Sequence, residues 1–137
     1  MNAFNNDLFQ DLIDLMNDTA RDERVAALVI TGTGKFCSSG ADLKNSQLLF
    51  QQPPNEHQTH LAPPRRFMLT LLEYPKIIAA AVNGPAVGIA CIMLLHFYLV
   101  HCRPNATFWA PLTRLALVPE LCSSVTFRET MGSLQSH

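Results

Sequence analysis

The sequence has little charge of either sign and no basic segment that stands out from the rest. Ten lysine and arginine residues and eleven aspartate and glutamate residues leave a formal net charge of −1 at pH 7. Nucleic acids and anionic membrane surfaces are bound mainly through basic patches. We therefore expect no nucleic-acid partner and no attraction to an anionic membrane surface.

The four cysteines include no pair separated by two residues, and no targeting segment is visible. Small free thiols are common in apolar segments, which is typical of a protein in a reducing compartment. The chain opens with asparagine and aspartate instead of a basic and apolar leader, and its final Gln-Ser-His is not a peroxisomal address. An intracellular location is the simpler interpretation.

No apolar run is long enough to cross a bilayer without interruption. The most apolar stretch covers residues 77–100, and the turn signal Asn83-Gly84-Pro85 divides it into two pieces. Each piece is shorter than the roughly 20 residues that a spanning helix requires. A buried strand followed by a buried helix explains the run better than a membrane span.

What the sequence does have is the apolar content of one globular domain, with 48% hydrophobic residues among 137. Apolar residues at helical spacing between Leu8 and Met16 predict an amphipathic helix that Asn5 or Asn6 caps. It is expected to end near residues 21–23. Residues 25–31 then form a continuous apolar run, the pattern of a strand that is covered on both faces.

The second half repeats the order of helix and buried strand. A helix that begins near Phe67 ends at Tyr74-Pro75, because a residue before proline disfavours helix. Further elements are predicted as a buried strand at residues 77–82, a buried helix at 86–95, strands at 97–101 and 107–108, and a last helix at 123–131. Residues 45–64 are rich in glutamine and proline and predict a mobile loop. Successive strand-turn-helix units favour an α/β fold with a parallel sheet.

Two other motifs do not support the sites that they suggest. Gly32 to Lys35 looks like part of a phosphate-binding loop, but Val29 replaces the leading glycine and Phe36 replaces the serine or threonine. Five possible metal ligands are scattered over a predicted loop and apolar strands, so we expect no metal site; they are His57, His60, His96, His101 and Cys102.

Three segments together carry a family resemblance. They are residues 27–44 (ALVITGTGKFCSSGADLK), residues 75–90 (PKIIAAAVNGPAVGIA), and residues 106–111 with 118–127 (ATFWAP and VPELCSSVTF). In this order they resemble the enoyl-CoA hydratase/isomerase (crotonase) superfamily, with the enoyl-CoA isomerases as the most similar branch. The resemblance implies an α/β fold of the ClpP/crotonase type, a spiral of ββα units.

The resemblance also implies a site. The backbone N–H groups of Ala41 and Ile89 would hold the thioester oxygen of an acyl-CoA, and Ile89 lies in a first helical turn, where N–H groups favour an anion. Glu120 would be the catalytic base. Main-chain contacts to CoA are implied for Ser38, Ser39, Gly40, Ala41, Asp42 and Leu43.

One carboxylate favours an isomerase over a hydratase. Hydratases use two carboxylates to manage a water molecule, and Ile92 occupies the position of the first of them. An isomerase needs one group, which takes a proton from C2 of a 3-enoyl-CoA and returns it at C4. The implied function is thus isomerisation to 2-trans-enoyl-CoA in fatty-acid β-oxidation, peroxisomal or mitochondrial. The CoA thioester is the substrate and no cofactor is implied.

The sequence also departs from the family pattern. Superfamily domains are considerably longer, so we expect an incomplete spiral that lacks the usual first hairpin and the C-terminal helices. In relatives those helices help to form a homotrimer. Leu121 stands where isomerases usually have glycine beside the base. These departures leave a second hypothesis open, in which the chain is a non-catalytic acyl-CoA-binding or interaction module, or an inactive truncated isoform.

Overall fold

The computed structural model describes residues 1–43 and 62–132. Most of the predicted loop at residues 45–64 lies outside these ranges, and positions 63 and 64 already belong to a helix. In chain order the elements are α1 (Asn6–Arg21), β1 (Ala27–Thr31), α2 (Pro63–Glu73), β2 (Ile77–Val82), β3 (Ala86–Val87), α3 (Ile89–Ile92), a first 3₁₀ helix (Met93–His96), β4 (Leu99–Cys102), β5 (Phe108–Trp109), a second 3₁₀ helix (Thr113–Leu115) and α4 (Ser123–Met131).

Helix α1 forms as the sequence predicts, and both of its ends are capped. The side chain of Asn5 accepts a hydrogen bond from the N–H of Leu8 at 2.9 Å, which satisfies one of the first-turn donors. At the other end Lys76 Nζ donates to the carbonyl oxygens of Thr19 at 2.6 Å and Asp22 at 2.7 Å. These contacts join the end of α1 to the start of β2.

Strands β1, β2 and β4 form a parallel sheet in which β2 is central, so the predicted parallel arrangement is confirmed. Leu28 of β1 is opposite Ile78 of β2, and Ala80 of β2 is opposite Val100 of β4. A smaller parallel sheet pairs β3 with β5. Sheet order β1-β2-β4 brings the ends of all three strands to one edge, next to the turns that follow them.

The prediction that β1 and β2 are covered on both faces is wrong. Leu28 and Ile78 are 9% and 5% exposed, whereas Val29 is 61% and Ile77 49% exposed. Side chains alternate between the faces of a strand, and in the described part of the chain only one face is packed into the core. A continuous apolar run shows that both faces are apolar, but it cannot show that something covers them.

The predicted helix at residues 86–95 is also different in the structure. Residues 86 and 87 form strand β3, Gly88 has a φ of 58°, and α3 begins only at Ile89. After four α-helical residues the chain tightens into the first 3₁₀ helix. The apolar composition predicted burial correctly, but strand pairing with β5 decided the conformation of its first two residues.

Aromatic rings join α1, α2 and the segment before α1 within the core. The ring centroids of Phe4 and Phe9 are 5.2 Å apart, and those of Phe9 and Phe67 are 5.6 Å apart. Phe67 is fully buried. Tilted aromatic contacts at these distances add to the free energy gained by burying their area. Over the described ranges no helix combines the length and apolarity that a bilayer span demands.

The Asn83 side chain ties the turn after β2 to the turn after β1. Its Oδ1 accepts from the N–H of Gly32 at 3.1 Å, and its Nδ2 donates to the carbonyl oxygen of Gly34 at 2.8 Å. Asn83 is half-buried. One amide side chain therefore sets the path of the chain at the edge where the two parallel strands end.

Replacing this amide should destabilise the fold. In Asn83→Ala the partly buried N–H of Gly32 loses its acceptor, and leaving such a group unsatisfied typically costs about 1–3 kcal/mol. We expect the free energy of unfolding, measured by urea titration, to fall by that amount. Asn105→Ala is the matched control, because Asn105 is exposed, and it should change stability little. Equal effects of the two substitutions would contradict this role of Asn83.

Candidate functional site

The small-residue segment at positions 37–42 lies between the N-terminal residues and β3. The N–H of Ser38 donates to the carbonyl oxygen of Pro85 at 3.2 Å, and the carbonyl oxygen of Ser38 accepts from the N–H of Val87 at 3.1 Å. On the other side Ser39 donates to the carbonyl oxygen of Met1 at 3.0 Å. The segment is thus fixed by backbone hydrogen bonds on two sides.

A residue with no side chain is required at Gly40. Its φ is +86°, and a Cβ built there would lie 2.7 Å from the carbonyl oxygen of Val87. The hydroxyl of Ser38 accepts from the N–H of Gly40 at 3.1 Å and donates to the carbonyl oxygen of Asn2 at 2.6 Å. Both the conformation and the space allow only glycine at this position.

The peptide that joins Gly40 to Ala41 has a defined direction. The carbonyl oxygen of Gly40 accepts from the N–H of Phe4 at 2.8 Å. In a trans peptide the C=O and N–H bonds point in opposite directions. The N–H of Ala41 therefore points away from Phe4, and Ala41 is exposed.

The peptide that joins Gly88 to Ile89 repeats this arrangement. The carbonyl oxygen of Gly88 accepts from the N–H groups of Cys91 and Ile92, each at 3.0 Å, so it points along the helix. The N–H of Ile89 then points out of the N-terminus of α3, where it has no acceptor within the helix. The Ile89 side chain is 3% exposed and anchors this residue in the core.

The two glycines meet. A Cβ built on Gly88 would lie 3.9 Å from the Cα of Gly40, which is ordinary van der Waals contact. The structure therefore brings together the two backbone segments that carry the predicted donors, Ala41 and Ile89. Paired N–H groups on closely packed backbone are the usual means of stabilising an oxyanion.

The other predicted CoA contacts differ in their exposure and in their hydrogen bonds. Leu43 is 51% exposed. The N–H of Asp42 donates to the carbonyl oxygen of Phe4 at 2.9 Å. Ser38 is 3% exposed, and its N–H, carbonyl and hydroxyl groups all form hydrogen bonds within the chain. Contact of residues 38–43 with CoA stays a prediction, and the exposed members are Ala41 and Leu43.

Glu120 lies in the loop between Pro119 and α4. Its surface is exposed, yet nearby protein atoms remove enough water to raise the pKa of its carboxyl above the ordinary value. Exposed surface and a desolvated carboxyl are compatible when the residue is open to solvent on one side and packed against protein on the other. Desolvation disfavours the charged form, so the carboxylate is a stronger base than an ordinary surface glutamate.

The backbone after Glu120 is in a conformation that favours glycine. Leu121 and Cys122 have φ values of 49° and 55°. Placing a residue that has a side chain in this left-handed conformation typically costs about 1–3 kcal/mol of conformational free energy. Leu121 is nevertheless 6% exposed and packs into the core, which offsets that strain. The left-handed backbone gives the physical reason why glycine suits this position, and the effect of Leu121 on Glu120 stays a prediction.

The loop is also joined to the first 3₁₀ helix by a contact that the sequence analysis missed. His96 Nε2 lies 2.8 Å from the carbonyl oxygen of Leu121. We treated His96 only as a possible metal ligand. The available signal was a single imidazole in the otherwise apolar run at residues 89–97, where a buried polar ring requires a partner.

A cavity of about 500 Å³ opens beside the same loop. Ser123, the first residue of α4, lines it, is 1% exposed, and has a hydroxyl without a hydrogen-bond partner among the described residues. Ile92, which the resemblance predicts at the position of a hydratase carboxylate, is fully buried in the core. The cavity is lined by Ala110, Leu112, Thr113, Leu117, Pro119, Ser123, Ser124, Phe127 and Arg128.

Residues 1–43 and 62–132 contain no cluster of three histidine, cysteine, aspartate or glutamate side chains that could hold a metal ion. Of the five possible ligands that the sequence offered, His57 and His60 lie outside the described residues. Cys102 and His101 are both exposed on β4.

Comparisons with known proteins agree with this fold. The family model described as enoyl-CoA hydratase/isomerase matches residues 1–137. Enoyl-CoA delta isomerase 2 of Rattus norvegicus is 37% identical, over 98% of this chain and 34% of the rat protein. Enoyl-CoA delta isomerase 3, peroxisomal, of Mus musculus is 36% identical, over 96% of this chain and 41% of the mouse protein.

Among solved structures, OdaA of Pseudomonas aeruginosa superposes with a TM-score of 0.86 at 34% identity, over 98% of this chain and 52% of OdaA. The chain thus spans between about a third and a half of these relatives' lengths. The predicted crotonase-type α/β fold is confirmed by the structural matches. The sequence match and the shared fold show that the chain belongs to the enoyl-CoA hydratase/isomerase family.

Proposed function

We propose that this chain binds acyl-CoA thioesters and converts 3-enoyl-CoA to 2-trans-enoyl-CoA. The N–H groups of Ala41 and Ile89 hold the thioester oxygen, and Glu120 transfers the proton. The observation that carries the proposal is the contact between Gly40 and Gly88, because each glycine directs the next N–H away from its own hydrogen-bonded carbonyl. The isomerase names of the rat and mouse relatives support the choice of reaction.

The chemistry needs no external acid, base or cofactor. The Glu120 carboxylate removes a proton from C2, and the electron pair moves through the carbonyl carbon onto the thioester oxygen. Two N–H donors stabilise that oxyanion. The electron pair then returns from the oxygen to re-form the carbonyl, the double bond shifts to C2–C3, and the C3–C4 π pair takes the same proton at C4 from the Glu120 carboxylic acid. The carboxylate is thereby restored.

The buried Ile92 supports isomerisation over hydration. A hydratase needs a second carboxylate to activate water, and an apolar side chain that is 0% exposed can neither take nor give a proton. CoA would pass along residues 38–43, of which Ala41 and Leu43 have exposed surface. The name of the mouse relative includes the peroxisome, and we extend a peroxisomal location to this chain as part of the same proposal.

Glu120→Gln should lower turnover strongly and leave binding intact. The amide has nearly the same shape but cannot accept the proton, and loss of a general acid–base group typically lowers the rate by about 10²–10⁴-fold. We expect this fall in kcat for conversion of 3-hexenoyl-CoA, followed by absorbance of the conjugated product. Affinity for CoA, measured by calorimetry, should stay within about threefold. Unchanged turnover in the variant would rule out Glu120 as the base.

The raised pKa of Glu120 gives both activity and stability a defined pH dependence. Only the carboxylate accepts a proton, so kcat should fall on acidification with a midpoint above the ordinary pKa of a glutamate. Burial favours the neutral form in the folded chain. The contribution of the protonated Glu120 carboxyl to the stability of the fold is fully present below the ordinary pKa. It is lost as the pH rises through the raised pKa.

Thermal unfolding tests the stability part of that prediction. Because Gln is neutral at every pH, the difference in Tm between Glu120→Gln and the unsubstituted chain should favour Gln more strongly at neutral pH than below about pH 4. A difference that does not change with pH would show that the carboxyl is not desolvated in the fold.

Gly40→Ala should disrupt the oxyanion site. The new Cβ would clash with the carbonyl oxygen of Val87 at 2.7 Å, and moving the peptide before Ala41 should lower kcat by about 10²–10³-fold. Gly34→Ala is the matched control, since Gly34 also has a positive φ, of +83°, but a Cβ there meets nothing within 4 Å. Backbone strain alone affects both variants, so an equal loss of kcat would contradict the proposed role of Gly40.

A second function is favoured by Leu121, whose left-handed backbone is unusual for a residue with a side chain. If the resulting loop holds Glu120 away from C2, the chain is an acyl-CoA-binding module without turnover. The turnover and calorimetry measurements separate the two functions, because binding with no conversion by the unsubstituted chain identifies the module.

A further inference from the structure

One polar contact ties the loop that carries Glu120 to a distant part of the sequence. His96 Nε2 and the carbonyl oxygen of Leu121 are 2.8 Å apart and are separated by 25 residues. A carbonyl oxygen can only accept, so Nε2 carries the hydrogen and the imidazole is the donor. His96 is half-buried at the end of the first 3₁₀ helix, which continues directly from α3 and Ile89.

This hydrogen bond acts on backbone that is not held by a regular element. Leu121 and Cys122 both have left-handed φ values, and α4 begins only at Ser123. The N–H of Ser123 donates to the carbonyl oxygen of Glu120 at 2.9 Å. His96 then fixes the next carbonyl, that of Leu121, so both peptide units that follow the Glu120 Cα are held.

The side chain of Leu121 is held by packing into the core. It is 6% exposed and belongs to the core together with Ile89 and Met93. Burial of Leu121 resists movement of the loop away from α3, but it does not fix rotation of the peptide plane. A directional N–H···O bond does fix that rotation. The hydrogen bond from His96 therefore limits rotation of the peptide that follows Leu121.

We propose that His96 is a positioning residue for Glu120, which orients the loop of the base by donating a hydrogen bond to the Leu121 carbonyl. This inference rests on the proposed function for its effect on turnover. His96 does not touch the substrate. It couples the orientation of the base to the helical segment that begins at Ile89, one of the two proposed oxyanion donors.

The kinetic test compares a variant that lacks the donor with one that keeps it. His96→Leu should lower kcat for 3-hexenoyl-CoA by up to about 10²-fold, because a small misplacement of a catalytic group has effects of that size. KM should change less than about twofold. His96→Gln places an amide N–H near the position of Nε2 and should recover most of kcat. His101→Leu, at an exposed histidine of β4, is the matched control and should keep full activity.

A second measurement does not depend on turnover. Hydrogen exchange of the Ser123 amide, followed by NMR without substrate, should be faster in His96→Leu and normal in His96→Gln and His101→Leu. Exchange of the β2 amide of Ala80 should be unchanged in all three. If His96→Leu fails to fold, His96→Met supplies a second variant without a donor, whose flexible side chain can fill the space.

The outcomes are distinct. Normal Ser123 exchange and normal kcat in the variants that lack the donor would overturn the proposal. A rise in KM with unchanged kcat would also overturn it, because His96 would then affect binding and not the base. An unsubstituted chain that binds CoA without turnover would contradict the proposed function alone. The exchange of the Ser123 amide would still decide whether His96 orients the loop.

Discussion

The close contact of two glycine backbones is the constraint on which the site depends. Gly40 and Gly88 pack against each other, and each has a positive φ. A side chain at Gly40 would push the small-residue segment off β3, and hydrogen bonds from Phe4 on one side and to Pro85 on the other allow little adjustment. The contact between the two glycines therefore brings close together the backbone segments that carry the two predicted donors.

In the loop of Glu120, by contrast, a residue with a side chain occupies a left-handed conformation. Leu121 occupies a backbone conformation in which glycine would be unstrained, and core burial together with the His96 hydrogen bond holds it there. The carboxyl is partly desolvated, which raises its pKa and strengthens it as a base. Strain and desolvation both oppose folding, and their presence in the same loop is typical of a site where stability is lost for function.

The sequence predicted the elements whose formation depends on local signals. It did not predict which face of the sheet is packed, because residues distant in the sequence decide that. Helix α1 begins after Asn5, one of its two predicted caps, and ends at Arg21, because capping and helical spacing are local signals. Helix α4 has the predicted bounds of 123–131. The uncovered face of the sheet could not be predicted from residues 25–31 or 77–82. An apolar run has the same composition whether one face or both are packed.

For the site, the sequence by itself determined which residues are candidates. The three segments that resemble the family gave Ala41, Ile89 and Glu120 as candidates. The apolar residue Ile92 at the position of a hydratase carboxylate argued against a second catalytic carboxylate. Only the tertiary structure brought Gly40 to Gly88. Only the tertiary structure joined His96 to Leu121, which lies 25 residues further along the chain in the loop of Glu120. The physical reason is that hydrogen bonds to backbone carbonyls carry no signal in the identity of the accepting residue, since every residue has a carbonyl.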